Sequence, residues 1–267
     1  MPPRSPRPDS PSSASDSIAR SSSRAGTRST GQSAGRPSAG ASHADLREQQ
    51  TRVAQRVAGG AAQEVRLIGG RWKRTPLPVP VSAGLRPTPA RVRETLFNWL
   101  GQDLSGWRVL DAFSGSGALG LEAASRGADQ VTLLERDAVL ARSLKAVVQR
   151  LTQGASALPG QRIEVLQTDA LAWMPNSRVA FDLVLLDPPF DEGLFDAAMD
   201  AACACVPDGG WVYVEAPHEL PDTALAGEGG QAWLARLSRH RHGQAGAVHF
   251  HLFQRVASLP GRPTPLG

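Results

Sequence analysis

Three observations predict an α/β fold of the Rossmann-like, doubly wound kind. From Trp107 onward apolar runs alternate with helical segments, the mark of a parallel sheet covered on both faces. A glycine-rich turn, Gly115 to Gly120, follows the first of these runs, as expected where a strand feeds a helix at a ligand-binding edge. Further on, Phe181-Asp182-Leu183-Val184-Leu185-Leu186 reads as one fully buried strand, closed by Asp187-Pro188-Pro189-Phe190.

Residues 1–41 are mostly Ser, Arg, Pro, Ala and Gly, with Ile18 the single large aliphatic after Met1. Such a stretch cannot bury enough apolar surface to offset its ordering entropy, and disorder is expected. Ser42 to Ala58 is compatible with a short capped helix ending at Gly59-Gly60. Glu64 to Val81 predicts a short basic strand pair bent at Gly69-Gly70. Thr88 to Leu100 predicts a helix with Thr88 as its cap and Pro89 at its first position.

In the alternating part, strands are predicted over Arg108 to Ala112, Gln130 to Leu134, Arg162 to Gln167, Phe181 to Leu186 and Trp211 to Glu215. Helices are predicted over Ala118 to Arg126, Asp137 to Leu151 and Leu194 to Val206, with a short turn at Ala170 to Trp173. Toward the end, Gln231 to Arg241 and Ala247 to Arg255 predict a long hairpin turning at His242-Gly243-Gln244, although Ala232 to His240 also has helical composition. The expected organisation is a tail over 1–63, a basic segment over 64–102, the catalytic domain over 103–257 and a flexible end over 258–267.

The chain has 267 residues and a formal net charge of +4, unevenly distributed. Residues 1–63 hold nine arginines against four acids and residues 64–102 seven Lys or Arg against two acids, so the remainder is acidic. That asymmetry suggests a basic part that meets nucleic-acid phosphates on an acidic domain that carries small-molecule chemistry, although a solubilising tail is an equal reading of residues 1–41. No stretch approaches the length of a membrane span and no secretory signal is visible, so a cytoplasmic protein is expected. Its two cysteines, Cys203 and Cys205, fit core packing on a helix. Nothing in the patterning demands a dimer, and a monomer is expected.

The chemistry is concentrated at the ends of the predicted strands. In Asp111-Ala112-Phe113-Ser114-Gly115-Ser116-Gly117 the glycines let a ligand approach backbone at a helix start, and Glu135 ends the next strand about twenty residues on, where a carboxylate can accept both ribose hydroxyls. Gly115, Gly117 and Gly120 also satisfy the dinucleotide pattern, so the loop alone does not separate a nicotinamide cofactor from S-adenosylmethionine. Asp111 discriminates, because an acid there suits the cationic amino-acid end of S-adenosylmethionine and opposes a pyrophosphate. Asp169, after the third strand, is placed either to bind an adenine amino group or to cap a helix. At Asp187-Pro188-Pro189-Phe190 neither proline has a donor, so the turn offers acceptors for an exocyclic amino group and an aromatic face for a planar base. This suits methylation of a nucleobase or amide nitrogen.

From Arg66 to Arg255 the chain resembles the RsmD family, the small-subunit ribosomal RNA guanine-N2 methyltransferases. The resemblance rests on Ile68-Gly69-Gly70-Arg71-Trp72-Lys73-Arg74, on Leu85-Arg86-Pro87-Thr88 continuing into Arg91 to Leu100, on Asp111 to Ala123 and on Asp187 to Phe190. It implies a seven-stranded S-adenosylmethionine-dependent methyltransferase fold with a small basic extension. It also implies S-adenosyl-L-methionine as donor and, as acceptor, the N2 amino group of a guanine in small-subunit ribosomal RNA or a 30S-type particle. Asp111, Phe113, Ser114, Gly115, Ser116, Gly117, Glu135, Arg136, Asp169 and Ala170 would then hold the cofactor, and Asp187, Pro188, Pro189 and Phe190 would receive the guanine.

Arg71, Lys73, Arg74, Arg86, Arg91 and Arg93 are expected to contact RNA phosphates, with Trp72 among them as a stacking residue. Arg91 and Arg93 do not share a helix face, so one is expected to pair with Glu94 or near the cofactor. Trp99, Trp107, Trp173 and Trp211 are expected in the core. His249 and His251 share a strand face near His240 and His242, but this chemistry needs no metal and none is expected. The competing functions are an adenine-N6 or other amino methyltransferase of the same fold, a nicotinamide-dependent oxidoreductase and a non-catalytic RNA-binding assembly factor.

Overall fold

A computed structural model describes residues 65–79, 88–153, 159–190, 193–221 and 232–256. All belong to one of the two units into which the chain divides; the other, residues 7–62, lies outside them. The tail, its candidate helix, Arg86 and the end from residue 258 therefore also lie outside the described residues.

The elements in chain order are β1 (Val65–Arg66), β2 (Pro76–Leu77), α1 (Ala90–Trp99), β3 (Arg108–Asp111), α2 (Gly120–Ser125), β4 (Gln130–Glu135), α3 (Ala138–Leu151), β5 (Arg162–Gln167), α4 (Ala170–Trp173), β6 (Leu183–Leu186), α5 (Phe195–Cys205), β7 (Trp211–Ala216), β8 (Leu237–Ala245) and β9 (Val248–Arg255). Strands β3 to β9 form one seven-stranded sheet in the order β5-β4-β3-β6-β7-β9-β8. Neighbours from β5 to β7 are parallel, while β9 pairs antiparallel with both β7 and β8. Because β4 and β6 flank β3 on opposite sides, the chain reverses direction across the sheet there, and a crevice opens at the carboxyl ends of the strands.

Strand periodicity divides the core in two. On one face Val109, Val131, Leu133, Leu183, Leu185, Tyr213 and Leu252 pack with residues of α1, α2 and α3. On the other, Leu110, Leu134, Val184, Leu186, Val214 and Phe253 pack with α4 and α5. Cys203 and Cys205 are free and buried, and burial pushes both thiols up to about 11. Trp107 and Trp211 are buried as expected; Trp99 is half-buried and stacks on Phe250, with ring centroids 5.3 Å apart.

Asp137 caps α3, accepting from the amides of Val139 and Leu140. Thr88 does not cap α1: the helix starts at Ala90 behind Pro89, and no side chain caps it. The terminal hairpin forms, but not as predicted. Leu237 starts β8 after a short turn of helix over Ala232–Ala235, Gly243 lies inside the strand facing the Phe250 ring, and the reversal falls at Gly246-Ala247, with Gly246 at φ 62°. His249 and His251 do share a face, where His242 stacks on both. His251 Nε2 accepts from the amide of Leu220 at 3.1 Å, and burial, with nearby His242, pushes this imidazole down to about 3. Among the described residues no group of His, Cys, Asp or Glu is arranged to hold a metal ion, and no helix is long and apolar enough to cross a membrane.

The segment after β1 is fastened to α2. The amides of Arg71 and Trp72 donate to Ser125 O and Oγ at 2.6 and 2.9 Å, and Ser125 Oγ donates to Gly69 O. Gly70, at φ 67°, approaches so closely that an added Cβ would lie 1.9 Å from Ser125 O, which explains the glycine at this bend.

Candidate active site

A cavity of about 550 Å³ opens at the carboxyl ends of β3 to β7 and falls into two halves. One is built on β3, β4 and β5. Asp111, the last residue of β3, is buried, and its Oδ2 accepts from the amide of Gly120 at 2.9 Å. A Cβ on Gly120 would lie 2.9 Å from that same oxygen and 2.3 Å from Leu133 Cδ2, so only glycine lets the helix start close over the acid. Burial raises the Asp111 carboxyl to about 7, against the lowering effect of the Gly120 amide, and Glu135 adds to the rise. Ser114 Oγ donates to Asp111 O at 3.0 Å and tightens the turn.

Glu135 ends β4 and holds the loop from the other side, accepting from the amides of Gly115 at 2.8 Å and Asp137 at 2.7 Å. Its orientation is therefore set in advance. Asp169 caps α4, its Oδ1 accepting from the amide of Ala172 at 3.0 Å, and the residue also lines the cavity. Phe113, Ser114, Gly115, Ser116, Arg136 and Ala170 line the same half. Gly117 does not line it; this glycine sits beneath the loop, where an added Cβ would lie 2.6 Å from Leu144 Cδ1.

In the other half, Asp187, Pro188, Pro189 and Phe190 follow β6. Asp187 is half-buried and Pro188 buried, whereas the Phe190 ring is 44% exposed. The facing wall comes from distant parts of the chain: Thr88 and Pro89 before α1, Glu215 near the end of β7, and Ala245 and Val248 beside the hairpin turn. From sequence Thr88 and Pro89 read as a helix start, with Thr88 also in a motif that carries the family resemblance, and Glu215 reads only as the end of a strand. The signal for Glu215 was available, since it stands at a strand's carboxyl end as Asp111 and Glu135 do.

Of the basic residues, Arg71, Lys73, Arg74 and Arg91 are exposed. Two expectations are corrected. Trp72 is 4% exposed and packs in the core, so it offers no stacking face, and Arg93 is 2% exposed and so not available to a phosphate. Arg93 lies 3.5 Å from the fully buried Glu122 and donates through Nε to Thr88 O at 3.3 Å, which ties the cavity wall to the protein interior. Glu122 was not singled out from sequence. It also accepts from Arg126 at 2.9 Å and from the amide of Ile68 at 2.8 Å.

The carboxylates at the ends of β3, β4 and β5 suit a ligand with a cationic end and a ribose diol, and would repel a pyrophosphate. The turn after β6 lines the same cavity.

Residues 65–254 match the model of a family described as conserved hypothetical protein 95. The chain is 39% identical over 202 residues to ribosomal RNA small subunit methyltransferase D of Escherichia coli strain K12, which covers 73% of this chain and 91% of that protein. It is 40% identical over 169 residues to the protein of the same name from Haemophilus influenzae, covering 60% of this chain and 83% of that one. A solved structure, yhhF from Escherichia coli, is 35% identical with a TM-score of 0.59, covering 73% of this chain and 99% of that one.

Proposed function

The chain belongs to the RsmD family, described as conserved hypothetical protein 95, and on that premise we propose that it transfers a methyl group from S-adenosylmethionine to the N2 amino group of a guanine in small-subunit ribosomal RNA. The observation that carries the proposal is that Asp111, Glu135 and Asp169 line one cavity together with Asp187 to Phe190.

The cofactor, when bound, supplies an electrophilic methyl on a sulfonium. Asp111 suits its ammonium group, Glu135 its ribose and Asp169 its adenine amino group, and all three stand at rigid strand ends. What the chain must do is orient the acceptor and exclude water. A guanine amino lone pair is delocalised into the ring. Hydrogen bonds from that amino group to Asp187 and the Pro188 carbonyl favour a pyramidal nitrogen with its lone pair directed across the cavity. The base must leave its stack to enter, and the exposed Phe190 ring offsets part of that cost. Arg71, Lys73, Arg74 and Arg91, all exposed, provide phosphate contacts. The acceptor is the small-subunit particle, the enzyme acts as a monomer, and its place is the cytoplasm.

Asp111 makes cofactor affinity depend on pH. Its folded pKa of about 7 lies above the ordinary carboxylate value, so the cofactor-free fold holds a proton that the unfolded chain releases. Stability from this group is present below about pH 4 and lost as pH rises through about 7. A cationic ligand favours the ionised form, so affinity for S-adenosylmethionine is expected to fall by up to about tenfold per pH unit below 7. Calorimetric titration between about pH 5.5 and 7.5 checks this. Asp111→Asn should bind more weakly with a flat profile, and a sloping profile in that variant assigns the titration elsewhere.

The function itself is tested by transfer of labelled methyl to small-subunit particles lacking native methylation, followed by nucleoside analysis. N2-methylguanosine is expected. N6-methyladenosine would mean an adenine methyltransferase of the same fold, and RNA binding without transfer an assembly factor.

A further inference from the structure

Two acids stand side by side in the acceptor half of the cavity, and the methyltransferase reading uses only Asp187. We propose that Glu215 is the base-specificity residue, accepting the ring N1–H of the target guanine while Asp187 holds the neighbouring amino group; the inference rests on that reading. Leu186 pairs with Val214 in the last register of β6 and β7, so Asp187 and Glu215 occupy the next positions on adjacent strands, ~4.8 Å apart. Leu183, Leu185, Trp211 and Tyr213 belong to the face covered by α1, and the two-residue period points Asp187 and Glu215 to that face as well.

The surroundings of Tyr213 agree with this placement. Its hydroxyl donates to Glu215 Oε1 at 3.1 Å, and burial first, then the negative charges of Glu215 and Asp187, hold it well above its ordinary pKa. Both carboxylates therefore lie near one buried hydroxyl. Glu215 is 4% exposed yet lines the cavity. A carboxylate can accept more than one hydrogen bond at a time. Phe250 pairs with Glu215 across β7 and β9 and stacks on Trp99, which stiffens that wall.

Guanine presents two adjacent donors on this edge, N1–H and the 2-amino group, and two neighbouring carboxylates complement them. Adenine has an acceptor at N1 and would leave Glu215 facing a lone pair, so the site rejects it by more than shape.

The test uses small-subunit particles reconstituted with guanine or 2,6-diaminopurine at the methylated position. Diaminopurine keeps the 2-amino nucleophile but has an acceptor at N1. The wild-type protein is expected to transfer methyl to diaminopurine about 100-fold more slowly. In Glu215→Gln the amide donates to N1, so the ratio of diaminopurine to guanine rates should rise by at least about tenfold while cofactor affinity is unchanged. A merely structural role for Glu215 would lower both rates alike and leave the ratio in place. Equal wild-type rates on the two bases overturn the inference without any variant, and so does an unchanged ratio in Glu215→Gln. A wild-type protein inactive on guanine particles would instead remove the methyltransferase reading and this inference with it.

Discussion

Asp187→Ala is expected to slow methyl transfer by about a thousandfold, because it removes the acceptor that holds the target amino group when its lone pair must turn toward the methyl. The effect should fall on the chemical step. Asp187 closes β6, on the other side of β3 from the strands that lead to Glu135 and Asp169, so S-adenosylmethionine should bind within about threefold of wild type. Particle binding, which depends on many phosphate contacts, should also persist. Single-turnover rates at saturating cofactor, with a separate filter-binding measurement, resolve the two. Equal loss of transfer and of particle binding would mean that Asp187 supports the fold of the site rather than the reaction.

Glu122→Ala is expected to cost about 3–5 kcal/mol of stability, since it strands buried charge. Glu122 is fully buried between Arg93 at 3.5 Å and Arg126 at 2.9 Å, themselves almost inaccessible. Burial lowers the Arg93 pKa while Glu122 opposes that fall. The same carboxylate accepts from the amide of Ile68, and Arg93 reaches Thr88 O. Removing it should therefore loosen both the basic segment after β1 and the cavity wall before α1. Urea unfolding measures the stability, and a rise in KM for the particle reports the loosening. A loss below about 1 kcal/mol would show that water reaches the two guanidinium groups and that the cluster is not sealed.

The relation between these two acids shows what kind of information each came from. Asp187 was legible because its surroundings are local: an apolar run, then an acid and two prolines, can be read as a buried strand with acceptors at its end. The same logic found Asp111, Glu135 and Asp169, and it would have found Glu215 had it been applied to β7. Strands β3, β4 and β5 and helix α3 lie within about a residue of the spans the periodicity predicts. Each buries one side against a sheet or helix, and the pattern of that burial is written along a few consecutive residues.

Glu122 was invisible for the opposite reason. Gly120-Leu121-Glu122-Ala123 reads as an ordinary helix with a solvated acid, and Arg93 as one more base in a basic stretch. Only the packing of α1 and the residues 65–77 segment against α2 buries these charges and makes them partners. The burial of Trp72 and the turn at Gly246 rather than near Gly243 likewise depend on contacts with residues far away in the chain.

By itself, then, the sequence determined the α/β class, most strand and helix positions and the acids at the strand ends, because short-range periodicity and backbone chemistry specify them. The tertiary structure alone decided which charges are interior, which distant residues close the acceptor half, and that Glu215 stands beside Asp187. Those properties belong to pairs of residues brought together by strand order, and no local pattern encodes the pairing.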